Sequence, residues 1–309
     1  MLNLIINNKY LIKQKLGEGS TSKVFLVKDL KSNKHFACKF FTHKKFFQNE
    51  SNFLSSFSHK NTIKKFDEGE FKLKNKKLNY LILDYCEHGK LSNYIIFFGF
   101  GFGEKYGKFL FKNILETVNE IHNFGFAHRD LKLENILLDK FFNIKIVDFG
   151  FCCLLNGNKL KNRLGTFIYA APEIFNNKNY DGKKIDFFSL GIVLFLIVTG
   201  KIFFLFDERK KFNFNNYENY KNFISKLEKE CLNFSFEFRD LLFKMIKFNP
   251  NERLNYFDVI NHEWLKNIEI NKIEMQNNFI FRDEIVRNKI KILNKIENEK
   301  VFINFFFFL

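Results

Sequence analysis

An α+β fold in two unequal lobes is predicted, on three observations. Short apolar runs rich in Val, Ile, Phe and Tyr, broken by Gly, Asn and Asp, fill Tyr10 to about Leu83. Helical periodicity takes over from about Leu91, and no Pro- or Ser-rich linker divides the two regions. A chain of 309 residues, 46% hydrophobic and 27% charged, can bury a core of that size, which excludes a disordered chain and a typical membrane protein.

The first lobe, residues 10–84, opens on a strand at Tyr10 to Leu16 and turns through Gly17-Glu18-Gly19-Ser20-Thr21-Ser22-Lys23-Val24 into a second. A third strand closes on Ala37-Cys38-Lys39. Phe53, Leu54 and Phe57 then form the apolar stripe of a helix near 45–57 that also carries Glu50. The second lobe, residues 87–265, starts with a helix over 109–121, whose Leu110, Ile114, Leu115, Val118 and Ile121 share one face. Further helices are expected at 186–199, 220–230, 236–247 and 256–265. Leu190 to Val198 is the longest apolar run, too short for a bilayer and read as a buried core helix, so no transmembrane segment is expected. Residues 266–309 form a basic tail in which Arg282 to Lys300 has the pattern of an amphipathic helix, expected to lie on the large lobe rather than to await a partner.

Lys and Arg total 50 against 34 Asp and Glu, a formal charge of +16. The excess is nearly all Lys, spread along the chain beside abundant Asn, Ile and Phe, with only two Pro. Dispersed Lys reads as coding bias, because a dedicated polyanion site favours clustered Arg. No nucleic-acid site is therefore expected. The five cysteines are odd in number and lack paired metal-site spacing, and no basic-then-apolar leader opens the chain, so reduced thiols and a cytoplasmic location are expected.

The chemistry sits in a few short stretches. Glycines in a hairpin let backbone N–H groups approach phosphate oxygens, and the Gly17–Gly19 turn is followed by a strand, not by the helix of a dinucleotide fold. A Lys in a cleft needs a counter-ion, which Glu50 can supply to Lys39. The central stretch is His128-Arg129-Asp130-Leu131-Lys132-Leu133-Glu134-Asn135, followed by Asp148-Phe149-Gly150. These residue types suit phosphoryl transfer: Asp130 to orient an attacking hydroxyl, Lys132 beside the moving phosphate, Asn135 and Asp148 as oxygen ligands for Mg²⁺.

His-Arg-Asp, an Asn five residues on and Asp-Phe-Gly thirteen beyond it resemble the motif set of the eukaryotic protein kinases. Gly165-Thr166 with Ala171-Pro172-Glu173 resembles the end of that family's activation segment, Asp186 with Ser189-Leu190-Gly191 its buried central helix, and Arg253 the late Arg that pairs with Glu173. The resemblance spans about residues 10–265 and implies a bilobal kinase fold, ATP and Mg²⁺ as cofactors, and protein Ser or Thr hydroxyls as substrates, since Lys132 and Thr166 are the Ser/Thr type. The wording is most similar to the calcium/calmodulin-dependent and AMP-activated-kinase-like group. By matching positions, Leu16, Gly17, Gly19, Val24, Ala37, Lys39 and Leu137 would line the nucleotide pocket, Leu83 would be its gatekeeper, and Asp84, Tyr85 and Cys86 the hinge.

Departures from the family pattern are equally legible. The third loop glycine is Ser22, Phe188 stands where many members have Trp, and Lys90 replaces an acidic residue common in kinases of basic substrates. Phe151 to Gly165 contains no Ser, Thr or Tyr, and Asn162 occupies the usual phosphosite. Arg129, with Lys159, Lys161 and Arg163 nearby, is expected to repel its neighbours, and the active arrangement to be set by packing or by a partner, for which the tail is a candidate. Gly99-Phe100-Gly101-Phe102-Gly103 reads as a loop and Cys152-Cys153 as packed residues. Two other readings stand beside the kinase: a pseudokinase scaffold, which usually loses the Lys or an Asp that this chain keeps, and a basic interaction module, supported by charge alone.

Overall fold

The computed structural model describes residues 1–73, 76–155, 160, 165–175, 179–202 and 216–298. Its first lobe is a six-stranded antiparallel sheet in the order β1-β2-β3-β4-β6-β5. The strands are β1 Ile5–Ile6, β2 Tyr10–Glu18, β3 Ser22–Asp29, β4 His35–Phe41, β5 Lys65–Leu73 and β6 Lys76–Leu83, with helix α1 Lys44–Ser56 between β4 and β5. Alternation along β4 sends Cys38 and Phe40 into a small core with Ile12, Val27 and Ile82, and turns Ala37, Lys39 and Phe41 to the opposite face, against α1. Lys39 therefore reaches the helix by strand parity. β1 was not expected; two residues are too few to make a pattern, and it pairs Ile5 with Leu11 and Ile6 with Tyr10.

The second lobe contains α2 Leu91–Ile96, α3 Gly103–Asn123, α4 Gly182–Thr199, α5 Tyr217–Glu230, α6 Phe236–Met245 and α7 Tyr256–Ile260. Three-residue strands β9 Ile136–Leu138 and β10 Ile144–Ile146 pair antiparallel, beside β7 Gly89–Lys90. β8 Phe126–Ala127 and β11 Cys153–Leu154 form a second small pair. As expected, Leu190 to Val198 is buried throughout, inside α4. No helix among the described residues is long and apolar enough to cross a membrane.

α4 ends on Gly200, at φ 72° in the left-handed region, and a Cβ there would lie 2.2 Å from the Gly101 nitrogen. A Cβ on Gly101 would in turn meet the Val198 carbonyl at 2.3 Å. The glycine-rich stretch is thus a close backbone crossing between the segment before α3 and the end of α4, in keeping with the loop reading. α3 begins at Gly103, six residues before its apolar periodicity, because Glu104 bonds the Ser235 N–H at 2.8 Å and the Trp264 indole N–H at 2.8 Å. The helix expected over 256–265 stops at Ile260 and resumes as a 3₁₀ turn at Glu263–Leu265 capped by His262.

The tail forms α8, Lys272–Asn298, which starts ten residues before the expected amphipathic stretch. Asn271 caps the Ile273 and Glu274 N–H groups while Glu274 reaches back to the Asn271 N–H at 2.9 Å, a reciprocal box. The helix lies on the large lobe beside α2: Met275, Phe279 and Val286 are buried, and Arg282 sits between the rings of Phe98 and Phe102 at 4.1 and 4.0 Å. The end of the tail, with its Phe305 to Phe308 run, and the loop residues Lys159, Lys161, Asn162 and Arg163 lie outside the described residues.

Candidate active site

Lys39, from β4, is buried and bonds two carboxylates, Glu50 of α1 at 2.5 Å and Asp148 at 2.9 Å. Burial opposes its charge, but Asp148 and Glu50 together hold its ammonium above the usual lysine range. One cation between two carboxylates cannot serve both equally. Burial lifts the Glu50 carboxyl to about 7 against the pull of Lys39, whereas at Asp148 the same Lys39 outweighs burial and keeps the carboxyl low. Asp148 is thus ionised at neutral pH while Glu50 stands near the middle of its titration, and Asp148 is held at φ 66° in the left-handed region. α1 is clamped to the same segment twice more: Asn49 Nδ2 donates to the Gly150 carbonyl at 3.0 Å, and Phe53 stacks on Phe149 with centroids 4.3 Å apart.

Asp130 lies on the facing loop, almost fully buried. Its Oδ1 accepts from the Thr166 N–H and hydroxyl, both at 2.9 Å, and its Oδ2 from Asn135 Nδ2 at 3.1 Å and Lys132 at 2.9 Å. Lys132 also donates to Thr166 Oγ1 at 2.6 Å, so three side chains fix where the carboxylate points. Lys132 also helps Lys39 to hold the Asp148 carboxyl low. The Asn135 carbonyl accepts from the Val147 N–H at 3.0 Å, joining the loop to the strand end that carries Asp148.

Beneath this loop Asp186, fully buried on α4, accepts from the His128 and Arg129 N–H groups, each at 2.8 Å, and meets His122 Nε2 at 2.8 Å. That anchor holds Arg129 at φ 66°. The Arg129 guanidinium has a backbone partner, its Nε donating to the Phe151 carbonyl at 2.7 Å, while the repulsion expected from Lys159, Lys161 and Arg163 falls outside the described residues. A backbone dipole replaces the missing anion. Gly165 is required where it stands: at φ 100°, a Cβ would approach the Arg129 carbonyl to 2.8 Å. Glu173 and Arg253 form the expected pair, bidentate at 2.6 Å.

The nucleotide-pocket candidates converge across the sheet. Gly17 pairs with Val24, Val24 with Lys39, and Ala37 with Leu83, so loop, lysine and gatekeeper positions adjoin. A Cβ on Gly17 or Gly19 would meet nothing within 4 Å, leaving open space under the hairpin tip. Leu16, two residues before the end of β2, is exposed, and Leu137, on β9, is half-buried. Asp84 turns its carboxylate to the Lys64 N–H at 3.2 Å. No hydrogen bond among the described residues engages the Asp84 carbonyl or the Cys86 N–H, the backbone pair that an adenine edge would use. Asn135 Nδ2 donates to Asp130, and among the described residues neither Asn135 Oδ1 nor Asp148 Oδ2 takes a bond; such hard oxygen donors suit Mg²⁺ shared with phosphates. Sequence reasoning missed His122, Asn49 and Phe53 as supports. A lone His inside a helix and an Asn beside a Glu carry no spacing that marks them.

A protein kinase domain model matches residues 10–265. The chain is 32% identical over 270 residues to sperm motility kinase 2B of Mus musculus, covering 83% of this chain and 52% of that protein. It is 31% identical to CBL-interacting protein kinase 1 of Oryza sativa subsp. japonica, over 84% of this chain and 56% of the relative. It is 33% identical to the probable serine/threonine-protein kinase KCC4 of Saccharomyces cerevisiae, over 81% of this chain and 25% of the relative. The chain spans about half the length of the first two.

Proposed function

The chain belongs to the protein kinase family, and on that premise we propose that it transfers the γ-phosphate of ATP to Ser or Thr hydroxyls of protein substrates. The observation that carries the proposal is the joining of the two aspartates through Asn135, whose amide donates to Asp130 and whose carbonyl accepts from Val147 beside Asp148, with Lys39 paired to both Glu50 and Asp148. Lys39 would hold nucleotide phosphate oxygens, with Glu50 as its counter-ion, and Gly17 and Gly19 would let the hairpin backbone close over them. Leu16, Val24, Ala37, Leu83 and Leu137 would wall the adenine, and the backbone of Asp84 and Cys86 would bond its edge. Mg²⁺, when bound by Asn135 and Asp148, supplies charge neutralisation on the phosphates.

Asp130 would accept the hydrogen bond of the acceptor hydroxyl and aim its oxygen at the phosphorus. Thr166 and Asn135 preset the carboxylate direction, so no reorganisation is needed when the substrate arrives. Lys132 would meet the charge that builds on the transferring group. The pseudokinase reading is disfavoured by the retention of Lys39, Asp130 and Asp148 in contact with their partners, and the basic-module reading rests on charge alone. The proposal includes a cytoplasmic location.

A radiolabelled-ATP assay with Mg²⁺ and a generic protein acceptor, followed by phosphoamino-acid analysis, tests it. Label on Ser or Thr is expected with the wild-type chain, falling at least roughly a hundredfold with Lys39→Met. Nucleotide binding without turnover would move the assignment to the scaffold.

A further inference from the structure

Away from the nucleotide cleft, a cavity of about 240 Å³ opens between α3, the β9–β10 turn and the start of α8. Its apolar part is Phe109 and Phe142, half-buried, over Leu110 and Met275. Three lysines from three separate segments stand around it: Lys60 after α1, Lys145 on β10 and Lys272 at the head of α8. Among the described residues none of the three makes a salt bridge, whereas Lys9 pairs with Asp67 and Lys65 with Glu68. The one carboxylate in the lining, Asp139, is already spent on the turn: it accepts from the Phe141 and Asn143 N–H groups at 2.9 Å each and from the Asn143 amide. The cavity therefore presents an excess of positive charge, three lysines against one carboxylate, around an apolar floor.

We propose that this cavity is a docking site for an acidic peptide segment of a protein partner, one apolar side chain entering between Phe109 and Phe142 while flanking carboxylates meet Lys60, Lys145 and Lys272. Charge complementarity selects the occupant, since three cations without a salt bridge among the described residues, of which only Lys145 is engaged, by the Lys60 carbonyl at 2.7 Å, disfavour a basic or purely apolar one. The volume suits one or two side chains, below the range of drug-sized ligand pockets. α8 contributes Lys272 and Met275 and is held to the turn by Gln276, whose Nε2 donates to the Phe141 carbonyl at 2.7 Å. The tail thus builds one wall of the site. β9 and β10 run from this turn to Asn135 and Asp148, a distance of about 10 Å at three residues each. What docking achieves, tethering a protein substrate near the cleft, rests on the kinase reading.

Fluorescence anisotropy on the full chain tests the site, with a labelled synthetic peptide carrying one Leu between two Glu residues as probe. Saturable binding is expected, weakened at least roughly tenfold by Lys60→Glu with Lys272→Glu, retained by Lys60→Arg with Lys272→Arg, and lost when the peptide's Glu residues become Lys. Both lysines are exposed and outside the phosphoryl-transfer machinery, so phosphorylation of a generic acceptor lacking the segment stays unchanged in the reversed variant and reports its folding. Absence of binding to the wild type, equal binding by the charge-reversed variant, or equal binding of an oligonucleotide of the same charge overturns the proposal. If the generic acceptor is never phosphorylated, the kinase reading fails, while anisotropy still decides the docking site.

Discussion

Glu50 is fully buried beside a cation. Its carboxyl titrates near 7 instead of 4.5, because it is buried beside a lysine that Asp148 also claims. A carboxyl raised in the folded state binds its proton more tightly there than in the unfolded chain, so this group lowers stability as pH rises from about 4.5 to about 7. Asp148, held low, is ionised in both states across that window, and Lys39 remains charged throughout, so the slope belongs to Glu50. Urea unfolding of the wild type and Glu50→Gln between pH 5 and pH 8 checks this: wild-type stability should fall relative to the variant as pH rises, and parallel profiles would contradict it. The proposed chemistry runs the other way, since only ionised Glu50 positions Lys39, and kcat/KM for MgATP should decline below about pH 7.

Among the elements, α8 and the activation segment carry separate predictions. Arg282 of α8 is buried with no acidic partner; it donates to the carbonyls of Tyr94, Phe100 and Gly101 at 3.2, 3.1 and 2.8 Å, and burial lowers its guanidinium to about 10. Arg282→Ala strips those carbonyls and two ring faces of their donor, and should destabilise the chain by about 2–4 kcal/mol in chemical denaturation, while Lys291→Ala on the same helix stays within about 0.5 kcal/mol. In the activation segment the Arg129–Phe151 and Asn49–Gly150 bonds tie the start of the segment to its surroundings, and under the proposed function they would hold the active arrangement without an anion. Phosphatase treatment should therefore leave phosphotransfer unchanged within about twofold, as mass spectrometry and assay together would register. A loss traced to dephosphorylation of Thr166 would contradict that arrangement.

At the scale of the whole molecule, the two lobes and most helices were legible because their apolar periods extend over many residues, as in α3 and α4. The site motifs were legible because phosphoryl transfer demands particular residue types at short spacing, Asp130 to Asn135 above all. What escaped was long-range. The Tyr94 and His88 contacts to Asp283 join residues 189 and 195 positions apart, and the docking cavity needs three such segments at once. No local pattern encodes a meeting of that kind. The early start of α3 escaped for the same reason, since Glu104 finds its partners in Ser235 and Trp264.

The central claim is that Asp130 directs the acceptor while Asp148 grips the metal-bound nucleotide. Parallel titrations of MgATP binding and of turnover on Asp130→Asn and Asp148→Asn test it most directly. Asp130→Asn should keep its MgATP Kd within about twofold and lose at least roughly a hundredfold in kcat, whereas Asp148→Asn should weaken MgATP binding as well. Turnover by Asp130→Asn equal to that of the wild type would contradict the account.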